Sequence, residues 1–75
     1  MRYAMRMHVT IGTQDVDTVR RALAPVVDAE PSIETVAGNT EMARLVYDTV
    51  SDAGAFSRNL IALYKSVTIF AFGFM

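Results

Sequence analysis

The chain has no cysteine and a single histidine among its 75 residues. The first absence excludes disulfides, thiolate nucleophiles and thiolate metal ligands together. The second excludes a multi-histidine metal centre built by one chain. An excess of one charge is also missing. Seven basic residues stand against eight acidic ones, for a net charge of -1, so overall charge gives no hold on a phosphate backbone. The start, Met1 to His8, spreads its charges through the segment and lacks the architecture of a secretory signal; a cytoplasmic protein is the expectation. No run reaches the roughly 20 apolar residues of a membrane-spanning helix, because Arg58 and Lys65 interrupt the last third. No membrane role is expected.

What is present is apolar surface. Hydrophobic residues make up 52 % of the chain, above the usual figure of about 45–50 %, which also counts glycine. One small domain over residues 1–75 is expected. A domain near this size buries only about 60 % of the surface its unfolded chain exposes. With disulfides, thiolate metal sites and multi-histidine metal sites excluded, association with other protein is the expected source of further burial.

Residues 3 to 11 alternate. Tyr3, Met5, Met7, Val9 and Ile11 fall on one face, with Ala4, Arg6, His8 and Thr10 on the other, which predicts a strand half-facing the core. Gly12-Thr13 breaks the pattern. Thr13 or Asp15 can cap the helix that follows, and Val16, Val19, Leu23, Val26 and Val27 recur at helical spacing. Pro25 ends or kinks that helix near Ala24, since it cannot donate to the carbonyl of Arg21. Ile33, Thr35 and Val36, then Gly38-Asn39-Thr40, then 41–50, predict a hairpin. Its second strand carries Ala43, Leu45 and Tyr47 on one face and Met42, Val46 and Val50 on the other. From Ser51 or Asp52 a long second helix is predicted, with a stripe of Phe56, Leu60, Leu63, Tyr64, Val67, Phe70 and Phe74. Ile61, Ile69 and Phe72 lie off that stripe, so the helix is apolar on more than one side and is expected to be covered by a partner. A strand-like tail and membrane contact are the alternatives. The expected fold is a two-layer α+β domain, β-α-β-β-α, with a three-stranded, mainly antiparallel sheet and two helices on one face.

Candidate chemistry is sparse. His8 lies on the strand face opposite the main apolar stripe, with no signature that joins it to a nucleophile and a carboxylate. Asp48 and Asp52 flank a strand-to-helix turn, where Asp52 is a helix cap before it is an acid or base. Gly12-Thr13 lacks the glycine pattern of a phosphate-binding loop. No catalytic residue, cofactor or metal is expected, and the chain is expected not to be an enzyme; a composite site between subunits is a minor alternative. Arg2, Arg6 and Arg44, with His8, form a modest basic patch on the polar sheet face that could contact RNA, the basis of an alternative reading as a stand-alone RNA-binding module. Arg58 and Lys65, seven residues apart, fall on one face of the predicted last helix, where they would rim a protein interface. Phe70, on the same apolar last helix, is expected at the same interface, where replacing it by Asp should disrupt association or folding, since an unpaired carboxylate is costly to bury.

Three local features resemble a known family. Arg21-Ala22-Leu23-Ala24-Pro25 followed by Pro31 looks like its A-L-x-P helix end. Gly38-Asn39 looks like its hairpin turn. Asp52, Ala55-Phe56 and Lys65 look like its closing D-x-x-x-L-R-x-x-x-N-S-x-L-R stretch. Together they span residues 5 to 72 and resemble the Pcc1 family, the small dimerising subunit of the KEOPS complex. Ser57 stands where the pattern has arginine, and Ile61-Ala62 stand where it has Asn-Ser, as in a divergent member or paralogue. The resemblance implies a non-catalytic subunit that pairs with itself or a paralogue and docks a larger catalytic subunit. That subunit makes threonylcarbamoyladenosine at position 37 of tRNA, with tRNA contact only within the complex. It also implies Leu60, Leu63, Tyr64, Lys65 and Val67 as contact residues, with Lys65 the one that matches the family pattern in type.

Overall fold

A computed structural model describes residues 4–75. Strand β1 (Met5–Gly12) leads through a 3-10 turn at Thr13–Asp15 into helix α1 (Val16–Leu23). A second 3-10 turn, Ala24–Val26, follows at Pro25, as expected where proline removes a helical donor. Strands β2 (Ser32–Val36) and β3 (Asn39–Val50) form the hairpin. Helix α2 (Ala53–Ile61) and a final strand β4 (Ile69–Phe74) complete the chain.

The described residues form an antiparallel four-stranded sheet in the order β2-β3-β1-β4. Both helices pack on one face, so the two-layer α+β architecture stands. Between sheet and helices lies one core, built by Met7, Val9 and Ile11 of β1, Leu45 and Tyr47 of β3, Val19 and Leu23 of α1, and Phe56 and Leu60 of α2. The rings of Tyr47 and Phe56 meet edge to face at 5.3 Å, a favoured aromatic geometry. Asn59 of α2 donates from Nδ2 to the Ala22 carbonyl at 3.0 Å and ties the helices together. Tyr3, assigned to the β1 stripe by its alternation, lies outside the described residues.

The largest departure is at the end of the chain. Helix α2 stops at Ile61, turns occupy 62–66, and the segment expected to continue as helix is β4. The sheet therefore has four strands rather than three. The reason is visible in Ile69-Phe-Ala-Phe-Gly-Phe74: large residues recur every second position, and β-branched and aromatic side chains favour a pleated surface. A spacing of four, as between Phe70 and Phe74, is common to both periods and does not distinguish them.

Three smaller differences have local causes. The hairpin turns at Ala37-Gly38, with Gly38 at φ +76, and Asn39 already belongs to β3, its Oδ1 accepting from the Glu41 N–H at 2.9 Å. The β1–β3 register shifts between Met5 and Met7, and this bulge turns Val50 to the core face, away from Met42 and Val46. Neither Thr13 nor Asp15 caps α1. The Thr13 hydroxyl donates instead to the Thr40 carbonyl at 2.9 Å, and Asp15 Oδ2 accepts from the Thr68 N–H at 3.0 Å.

Candidate functional site

The fourth strand redraws the exposed surface. β4 is an edge strand, paired to β1 on one side only. Its entry is fixed at two points: Thr68 donates to Asp15, and the Gly12 N–H donates to the Thr68 carbonyl at 3.1 Å. Val67 is buried and Ile69 packs on the core. Beyond Ile69 the strand leaves the shelter of the helices. Phe70 is the extra residue where the β1 register shifts, between the pairs Ile11↔Ile69 and Thr10↔Ala71. Phe72 and Phe74 pair with Val9 and Met7, whose side chains enter the core, so these two phenylalanines extend the helix-side face past α2.

That extension is open. Phe70, Phe72 and Phe74 are 52 %, 40 % and 63 % exposed, and Met75 and Met5 are exposed at the same end of the sheet. The backbone is open as well. The Met75 N–H donates to the Arg6 carbonyl at 2.9 Å, so the alternation of an antiparallel ladder turns the odd-numbered groups of β4 towards β1. The N–H and C=O groups of Phe72 and Phe74 therefore point outward, and no charged residue lies between Ser66 and Met75. An edge of this kind pairs readily with another strand.

Comparison with protein-family models, curated proteins and solved structures finds no match.

The residues singled out in the sequence separate into three groups. Leu60 and Val67 are buried in the core and Leu63 packs against it. Arg58 is exposed on α2 with its guanidinium over Gly54, whereas Tyr64 and Lys65 are exposed in the turns that follow Ile61, itself 56 % exposed. Lys65 follows the helix end, so it and Arg58 do not share a helical face as the long-helix reading required. Phe70 lies on β4. Ile61 and Phe72, expected off the core stripe, are exposed, and so is Phe74, which the helical reading places on that stripe; the signal for the strand was the uncharged alternation of large and small side chains.

On the other sheet face the basic patch is largely neutralised. Arg6 pairs with Asp48 at 3.1 Å, and Arg44 sits 3.6 Å from Glu34. His8 is half-buried, and its Nδ1 has no protein partner. Arg2 lies outside the described residues. Asp52 caps α2, accepting from the Ala55 N–H at 2.9 Å, and Asp48 is engaged by Arg6, so the two carboxylates do not act as a pair. Among the described residues no group of three metal-ligating side chains comes together, and no helix is long and apolar enough to cross a membrane.

A cavity of about 270 Å³ opens between the end of α1 and the 28–31 connection, lined in part by Arg20, Val27, Glu30 and Tyr47. Arg20 reaches Glu30 at 2.8 Å and Asp17 at 3.4 Å; the hydrogen bond to Glu30, then its charge, raises the guanidinium pKa. The Tyr47 hydroxyl is buried without a protein partner. Its pKa is pushed up to about 12, first by burial and then by the Glu30 carboxylate.

Proposed function

We propose that this chain is a non-catalytic accessory subunit that works by associating with other protein. The observation that carries the reading is the open β4 edge: outward backbone groups, exposed Phe70, Phe72 and Phe74, and no charge to discourage pairing. A strand edge of this composition is sheltered by another protein in a soluble assembly, because exposed apolar surface beside unpaired backbone groups favours uncontrolled aggregation. The far end of α2 supplies a second contact region. Ile61 and Tyr64 are exposed there, with the Lys65 cation next in the chain.

The Pcc1 resemblance gives this reading a concrete form. The larger partner is the catalytic subunit of a tRNA-modifying complex, docked on the α2 end, with any tRNA contact made within that complex. The alternative of a stand-alone RNA-binding module is weaker, because Arg6 and Arg44 would have to exchange Asp48 and Glu34 for phosphates. Co-purification from the native source followed by mass analysis tests the proposal. A larger catalytic protein recovered in stoichiometric amount is the expected result. Recovery of the chain with no such protein overturns it.

A further inference from the structure

We infer that the occupant of the β4 edge is a second copy of this chain, paired antiparallel about a two-fold axis so that two four-stranded sheets become one of eight strands. The inference rests on the association reading above and names the partner at one of its surfaces.

Three features of the edge select this occupant. The first is geometry. Outward N–H and C=O groups at Phe72 and Phe74 can be satisfied together only by an extended strand. The second is charge. Charged side chains are a usual guard of a free edge against pairing; residues 66–75 carry none, so no side-chain charge opposes self-pairing. The third is area. A phenylalanine side chain buries roughly 150–250 Å². Scaled by their exposed fractions, the three phenylalanines with Met5 and Met75 offer about 500 Å² per copy. Two copies therefore have up to about 1,000 Å² to bury, against the roughly 1,000 Å² that a specific interface needs. The contact is isologous and closes on itself, so it ends at a dimer and does not propagate.

A register centred on Phe72 brings the Phe72 residues of the two copies opposite each other, with Cα atoms about 5.5 Å apart in a hydrogen-bonded pair. That separation lies within disulfide reach, and the absence of native cysteine makes a single introduced thiol an unambiguous reporter. The full chain is first measured by light scattering at tens of micromolar, where twice the 8.3 kDa chain mass is expected. Phe72→Cys is then oxidised in parallel with Ile33→Cys on the opposite edge. Cross-linked dimer from Phe72→Cys and monomer from Ile33→Cys is the expected pattern. Phe74→Pro, which removes an outward donor without touching the β1 ladder, is expected to halve the mass while circular dichroism is kept. A wild-type monomer, or a dimer that cross-links through Ile33→Cys and not Phe72→Cys, overturns the inference. The accessory-subunit reading fails separately: a dimer that recovers no larger protein sinks that reading alone, and a monomer that recovers one sinks only the self-pairing.

Discussion

The two edges of this sheet are built differently. β2 follows Glu30 and Pro31, carries Glu34 facing Arg44, and exposes one large apolar side chain, Ile33. β4 has neither charge nor proline and exposes three phenylalanines. Charged residues and proline are the usual means by which edges avoid unwanted pairing, so β2 is finished for water and β4 is not. Both edges hang on the same core. The difference is therefore one of surface chemistry rather than of stability, and it can be attacked from either side.

The largest expected effect removes the foundation common to both. Leu60 is fully buried on the helix that carries the chain back to β4. Leu60→Ala is expected to cost about 2–5 kcal/mol through lost burial and the cavity left behind. Urea unfolding measures the loss. In hydrogen exchange the amides of β3 and β4 should lose protection together. If β4 alone became unprotected, it would be a detachable tail, and the comparison between two edges of one sheet would lapse.

The β2 side offers an intermediate effect that depends on pH. Tyr47 has an ordinary pKa of 10.0 that the fold raises to about 12, so the native state holds its proton longer than the unfolded chain does. The unfolded state therefore gains stability by ionising first. Stability is fully present below about pH 10 and falls as pH rises towards 12, by up to about 2–3 kcal/mol. Tyr47→Phe is expected to remove this component of the alkaline loss, read as flatter denaturation midpoints between pH 9 and pH 11 by about 1 kcal/mol. A wild-type profile that matched the variant would show that the hydroxyl is not shielded by the end of α1 and the 28–31 connection.

How legible this molecule was in its sequence follows from how local each signal is. The alternation of β1, the proline that ends α1 and the Asp52 cap each depend on neighbours within a few residues, and each is where the chain pattern placed it; the hairpin turn keeps Gly38 but sits one residue earlier, at Ala37-Gly38. The end of α2 depends on something distant. Residues 69–74 become strand because β1 has a vacant edge nearly 60 positions earlier, an order-of-magnitude longer reach than a helical turn. Val50 turns inward through a bulge that no side-chain pattern marks. The exposed part of the apolar excess does lie largely in the chain's last third, but on an edge strand rather than on a helix face: Leu60 and Val67 are buried in the core, and Phe70, Phe72 and Phe74 are exposed.

A smaller effect tests how β4 is held at its start. Asp15→Ala removes the acceptor for the Thr68 N–H, and a bond to an exposed carboxylate is worth on the order of 1 kcal/mol. Faster exchange at Thr68 and Ile69, with β2 amides unchanged, is the expected signature. Equal acceleration on both edges would mean that Asp15 supports α1 rather than β4.

The smallest effect on stability falls on Glu34. Its contact with Arg44 at 3.6 Å is between side chains 46 % and 40 % exposed, a pairing worth about 0–1 kcal/mol. Glu34→Ala should therefore leave the urea midpoint nearly unchanged and respond little to salt. Its consequence should appear elsewhere. Without that carboxylate, β2 presents Ile33 and Val36 on an edge with no charge between Ser32 and Val36, and so comes to resemble β4. Light scattering over hours at high concentration should then rise above that of the wild type, whose β2 edge keeps its charge. If scattering stayed flat, the charge on β2 would not be what separates the two edges, and the twist and shortness of that strand would have to account for its solubility.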